Sequence, residues 1–191
     1  MSNTLIQLKR NDTLPAVELP VVDSSGVAVN LAGGTVTFSM GVATPLPLAQ
    51  TGTDPLTIIF VDKSWVARLR VGDILRIEYA GSDELLDVTV VDHATGSVTF
   101  GRAAEGTTES AYYPKGSLVY FYPVRSQAAS VSGSSSNILT YSWIVGDTVF
   151  AGSYIGEFEY TDPASKRQTY PSALSTSGYL TIQIVADVDG D

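Results

Sequence analysis

The sequence predicts an all-β protein built from two modules, and three features predict it. Apolar and polar residues alternate with period two along most of the 191-residue chain. Clusters of Asp, Ser, Thr, Asn and Gly break that alternation roughly every ten residues, the spacing of short strands in a sandwich or barrel. Only residues 63–70 have helical spacing. There Asp62 can cap the first turn and Trp65 and Leu69 lie four apart on one face, which predicts a helix about two turns long.

Taken in chain order, the first strand covers residues 16–22. Pro15 and Pro20 cannot donate to a ladder, so this strand is expected at an edge or in irregular form. The turn Asp23-Ser24-Ser25-Gly26 follows. Val36, Phe38 and Met40 then alternate with Thr35, Thr37 and Ser39. Residues 56–61 and 74–79 are the next strands, and Ala80-Gly81-Ser82-Asp83 is a turn. Leu86, Val88 and Val90 are expected to point inward, with Asp87 and Thr89 outward. The turn Asp92-His93-Ala94-Thr95-Gly96 leads into a strand over 97–100, and further strands are expected over 118–122 and 138–145. Phe158 and Tyr160 alternate with Glu157 and Glu159. After the turn Ser175-Thr176-Ser177-Gly178, Leu180, Ile182 and Ile184 alternate with Thr181 and Gln183.

Two stretches read as linkers. Residues 41–55 are rich in Pro, Gly, Ala and Thr, and residues 126–137 are almost entirely Ser, Ala and Gly. Between them the chain holds about five strands of its own. The simplest account is an inserted module over 52–125, a small β-barrel. The outer pieces, 1–45 and 135–191, then pair into one discontinuous β-sandwich, because neither has enough strands to bury a core alone. Two consecutive domains are the plainer alternative.

Composition narrows the function. The charged fraction is 16% and the net charge is −9. Lys and Arg are scattered, so no basic patch awaits a phosphate backbone and no nucleic acid is expected as a partner. The absence of Cys removes disulfides, thiolate metal sites and Cys nucleophiles. Lys9, Arg10 and Asp12 precede any long apolar run, so no signal peptide is expected. No apolar run approaches the roughly 18 residues of a membrane span, so no membrane partner is expected either.

The groups able to do chemistry are few. His93 is the only histidine and sits in a turn, where a solvated ring is the plain reading. Asp83, Glu84 and Asp87 flank a predicted hairpin and could form the carboxylate pair of a glycosidase, but a solvated strand face explains them better. Asp187, Asp189 and Asp191 resemble the opening of a calcium loop, yet the ligands that would complete it do not follow. Gly33-Gly34 precedes a strand rather than a helix, so it cradles no phosphate. No catalytic, cofactor or metal site is expected. The aromatic group Tyr112, Tyr113, Tyr120, Phe121 and Tyr122 stands apart. Alternation can send part of it into a core, while exposed members can anchor an interface or stack on a sugar. Tyr112, Tyr113 and Tyr122 are the residues expected at an interface.

The outer pieces resemble a module found at the N-terminus of upper baseplate proteins of tailed bacteriophages. The front block is KRNDTLPAVELPVVDSSGVAVNLAGGTVTFSM, residues 9–40. The back blocks are YSWIVGDTVFAGSYIGEFEYTD, residues 141–162, and TYPSALSTSGYLTIQI, residues 169–184. The resemblance covers about 90 residues and implies an Ig-like sandwich with Trp143 between its sheets. In the relatives the two halves run together, whereas here some 90 residues intervene. The middle segments VGDILRIE, residues 71–78, and SVTFGRAAEGTTESAYYPKGSLVY, residues 97–120, are similar to small barrels of phage tail and capsid proteins. The resemblance implies a virion structural protein of the tail or baseplate, assembled in the host bacterial cytoplasm. Its partners would be other virion proteins in a symmetric, multicopy arrangement. A capsid decoration or head–tail joining protein is the near alternative, and a carbohydrate- or receptor-binding module with a glycan partner is the more distant one.

Overall fold

The computed structural model describes residues 4–51, 55–79, 82–171 and 180–186. In chain order its strands are β1 (Thr4–Lys9), β2 (Val17–Pro20), β3 (Thr35–Pro45), β4 (Gln50–Thr51), β5 (Leu56–Ile59), β6 (Ile74–Tyr79), β7 (Ser82–Asp92), β8 (Ser97–Gly101), β9 (Tyr112–Tyr113), β10 (Leu118–Ser132), β11 (Ile138–Tyr141), β12 (Gly152–Thr161), β13 (Arg167–Tyr170) and β14 (Leu180–Val185). Among the described residues, helix is confined to α1 (Lys63–Val66) and a 3₁₀ turn at Ala104–Gly106. The protein is all-β, as the alternation predicts. No helix among the described residues is long and apolar enough to cross a membrane.

The chain divides into two compact units. Unit 1 is residues 1–41 with 123–191, and unit 2 is residues 42–122. The strands β3 and β10 carry the chain across both boundaries. Both stretches read as linkers therefore contain strand. Residues 41–45 finish β3 and residues 126–132 finish β10. A turn over 133–136 then returns the chain into β11, pairing Ser132 with Ile138 and Ser130 with Thr140. Backbone hydrogen bonds hold a strand whatever its side chains, so small residues alone do not distinguish a strand from a linker.

In unit 1, β12 runs antiparallel to β3 from Ile155↔Gly41 to Thr161↔Thr35. On its other edge β12 pairs with β14 and, further along, with β13. The strand β1, which alternation did not single out, pairs in parallel with β14. Among the described residues the strand β2 pairs with β11 alone. The core is aromatic. The Phe38 ring lies 4.5 Å from Tyr141, 4.8 Å from Phe158 and 5.9 Å from Trp143. Gly156 leaves room for this packing, because a Cβ there would come within 2.7 Å of Ile182 and 3.1 Å of Phe38. Trp143 is buried and its indole N–H donates to the Pro15 carbonyl at 2.9 Å. The expected strand over 138–145 stops at Tyr141, because Asp147 folds the next residues into a turn. Its buried carboxylate accepts from the Ile144 N–H at 2.9 Å and from the Tyr141 hydroxyl at 2.7 Å.

In unit 2 the antiparallel order is β10-β6-β7-β8-β5, with β4 paired to β9. Its core gathers Leu56, Ile58, Phe60, Trp65, Leu75, Ile77, Leu86, Val88, Val98 and Phe100. The helix is shorter than expected. Asp62 caps it, accepting from the Trp65 N–H at 3.1 Å, but Arg68 and Leu69 already bond to residues three back rather than four. Trp65 and Leu69 are both buried. The predicted inward set of β7 also changes. A bulge between Val88 and Val90 resets the register, and Val90 is 55% exposed. The turn at residues 93–96 closes as predicted, with the Asp92 carboxylate accepting from the N–H groups of Ala94 and Thr95. The turn expected at 175–178, residues 80–81 of another, and the acidic tail of Asp187, Asp189 and Asp191 lie outside the described residues.

Candidate functional site

Two arrangements in unit 2 bring polar chemistry together. The first is centred on Glu84. It lies in β7 at the same parity as Leu86 and Val88, so the strand aims it into the core, where it is 1% exposed. The expectation of a solvated face holds for Asp83, which is exposed, and fails for Glu84. The legible signal was parity, since a carboxylate at an inward position needs a partner.

That partner is Arg102, just beyond the end of β8. Its Nε and Nη2 donate to the two oxygens of Glu84 at 3.0 and 2.8 Å, a bidentate pair buried on both sides. The N–H groups of Ala103 and Ser110 donate to the same carboxylate at 3.1 and 3.0 Å, and the Tyr113 hydroxyl donates to it as well. Burial opposes the charge, but Arg102, Tyr113, Ser110 and Ala103 together outweigh it and hold the carboxyl below its usual range. Burial and the bond to Glu84 push the Tyr113 phenol well above its ordinary value. Five donors occupy the two carboxylate oxygens, so Glu84 is spoken for as a structural anion. The pleat also puts Asp83 and Asp87 on the opposite side of β7 from Glu84, so the three carboxylates do not converge.

The anchored segment runs over 102–113. Ala103 and Glu105 adopt positive φ, 52° and 53°, and Thr107 accepts from the Leu85 N–H at 3.0 Å. The β8 ladder with β7 begins only at Asp87, so this segment satisfies the part of β7 that β8 does not reach.

The second arrangement is on the outward side of β6 and β10. Arg76 pairs across the ladder with Tyr120, and its guanidinium lies 4.7 Å from that ring and 5.8 Å from Tyr122. The two tyrosine rings are nearly parallel, 17° apart, with centroids 6.0 Å apart. Glu78 and Asp83 approach Arg76 at 3.2 and 3.8 Å. Burial and the Glu78 carboxylate raise the Tyr120 phenol above its usual range. Beside the rings, Glu78, Tyr120 and residues 114–118 line an open cleft of about 410 Å³.

The three tyrosines expected at an interface are thus separated. Tyr122 joins the half-exposed ladder and Tyr112 is 44% exposed on β9. Tyr113 is 2% exposed and committed to Glu84, so it offers no surface; alternation along β9 sends it inward. Tyr120 takes its place in the ladder, because residues two apart on a strand share a face. His93 lies exposed in its turn. Among the described residues no group of three or more His, Asp or Glu could hold a metal ion.

No protein-family model and no curated protein matches this chain. The arrangement that can engage a partner is therefore defined by its chemistry alone. Two ring faces, a guanidinium and a carboxylate beside a cleft suit a flat, hydroxyl-bearing or amide-bearing surface.

Proposed function

We propose that this chain is a non-enzymatic structural protein of a tailed-bacteriophage particle, acting in the tail or baseplate through repeated protein–protein contacts. Unit 1 is then an Ig-like sandwich and unit 2 a small barrel threaded into it. One observation carries the reading. The sequence blocks that resemble the baseplate module lie far apart in the chain, yet they lie side by side in one unit. The strand β3 from the front block pairs with β12 from the back block over seven residue pairs, and β14 from the last block pairs with β12 on its other edge. Residues 42–122, which lie between those blocks, form a unit of their own. Low charge on the chain favours packing against neighbours, since each charge buried in a contact needs a partner.

Mass spectrometry and immunogold labelling of purified particles test this reading. The expected result is the chain in many copies per particle, with label on the tail. Label on the head selects the decoration or head–tail joining role. Absence from purified particles overturns the proposal.

The tyrosine ladder favours a second reading, a carbohydrate-binding surface. Stacked rings beside a cleft holding Glu78 match what a sugar face requires. Glycan-array binding that disappears in Tyr120→Ala and Tyr122→Ala supports it, and no signal from the unaltered protein removes it.

A further inference from the structure

The strand β1 is fastened along one edge. It lies parallel to β14 from Thr4↔Leu180 to Lys9↔Val185, and β14 is its single ladder neighbour among the described residues. Arg10 extends the ladder, its N–H donating to the Val185 carbonyl at 2.9 Å. Leu8 is buried, while Leu5 is 58% exposed. A strand with parallel pairing on one side and little buried surface detaches more easily than the strands at the centre of unit 1.

After β1 the chain turns sharply. The Asp12 N–H donates to the Lys9 carbonyl at 3.1 Å, and Asn11 inside this turn has a φ of 66°. That left-handed conformation is unfavourable for a residue with a Cβ, although Asn bears it better than most. Beyond the turn the chain is held again. The Thr148 hydroxyl donates to the Asp12 carbonyl at 2.9 Å, and the Trp143 indole N–H donates to the Pro15 carbonyl at 2.9 Å. Asn11 is therefore a pivot between two anchored pieces, residues 4–10 on β14 and residues 12–15 on the segment 143–148.

We propose that two copies of this chain exchange β1, each laying residues 4–10 along β14 of the other in a closed two-fold dimer. The occupant of the β14 edge is known, because residues 4–10 of this sequence fill it and an identical strand fits it equally well. Asp12 stays fixed at the end of the slot. An incoming Lys9 therefore donates its N–H to Asp12 of the partner subunit, replacing the 3.3 Å bond to its own. The ladder bonds and the burial of Leu8 are kept. What changes is the backbone at Asn11, which leaves the left-handed region as the hinge extends. Charge favours a second copy at this place. Lys9 and Arg10 outnumber Asp12 at the hinge of a chain whose net charge is −9, so the crossing point attracts a copy that other surfaces repel. Exchange replaces contacts within a copy by the same contacts between copies, so it gains most where copies are held close together.

Sedimentation velocity from micromolar to millimolar protein tests the hinge, with the unaltered chain, Asn11→Pro and Asn11→Gly. Proline cannot adopt a positive φ, so it opens the turn and should strengthen dimerisation by about tenfold. Glycine adopts it freely, so it closes the turn and should weaken dimerisation by about threefold. Cross-linking identifies the strand that crosses. The chain has no Cys, and Gln7 and Gln183 face each other in the β1–β14 ladder. A Gln7→Cys chain and a Gln183→Cys chain, unfolded, mixed, refolded together at high concentration and oxidised, should yield a disulfide-linked heterodimer. This measurement leaves the hinge unaltered, so it decides the matter even where Asn11→Pro fails to fold. An unaltered chain that stays monomeric throughout, a dimer fraction that is the same in all three hinge sequences, or a mixture that yields no heterodimer each overturns the proposal.

Discussion

Glu84 ties β7 to the segment 102–113 through five donors on one buried carboxylate. Replacing it by Gln keeps the volume and removes the charge, leaving the Arg102 guanidinium buried against a neutral amide. Breaking a buried pair in this way costs about 3–5 kcal/mol, so Glu84→Gln should lower the urea midpoint sharply at neutral pH. The pH dependence has a definite sign. The folded carboxyl is held below its usual range. Its contribution is therefore fully present above the unfolded value of about 4.3 and fades as pH falls through the folded value. The gap between the unaltered protein and Glu84→Gln should close on acidification below that point, read by urea titration at a series of pH values. A gap that stays constant would contradict the ionic role. Gly96 is a second decisive residue. Its φ is +80°, and a Cβ there would meet the Phe60 carbonyl oxygen at 2.8 Å. Gly96→Ala should cost about 1–3 kcal/mol through strain and crowding together, measured as a drop in Tm with the fold retained. The turn at Gly96 was legible from its Asp and Gly. The clash with Phe60 was not, because it depends on a contact 36 positions away in the sequence.

Among the elements, the long strand β10 departs furthest from what composition suggests. Residues 126–132 look like a flexible tether and behave as a ladder strand, bonded to β11 and, at Ser126, to the Ser39 hydroxyl at 3.0 Å. Hydrogen–deuterium exchange separates the two descriptions. Amides of a tether exchange at the intrinsic rate, while those at Val131 and its neighbours should be slowed by orders of magnitude, as in the ladder of β12. The helix and the bulge show the same limit on a smaller scale. Asp62 announces the cap of α1, but nothing local announces that the helix ends within four residues. Alternation along β7 is correct up to Val88, after which one inserted residue turns Val90 outward. A period-two pattern carries no mark of such a slip.

For the whole molecule, the consequence of the two-unit division is that unit 1 owns a complete aromatic core built from both ends of the chain. Excising residues 42–122 and joining Gly41 to Pro123 through a short Asn-Gly turn should leave a chain with cooperative thermal unfolding and a near-ultraviolet dichroism signal from Trp143 and its ring neighbours. A product without either signal would mean that unit 1 depends on unit 2 for its stability. The sequence by itself determined that the chain is all-β, most of its strands, the Asp-bearing turns and the lack of a Cys site, because each rests on neighbours within a few positions. The tertiary structure alone decided where the units begin and end, that Glu84 is a buried anion rather than a surface charge, and that Tyr120 and Tyr122 form the ladder while Tyr113 is inside. Those outcomes depend on which strands pair. The Glu84 partner Arg102 stands 18 residues away and the two halves of unit 1 are separated by the whole of unit 2, and no local pattern of side chains encodes a pairing at that range.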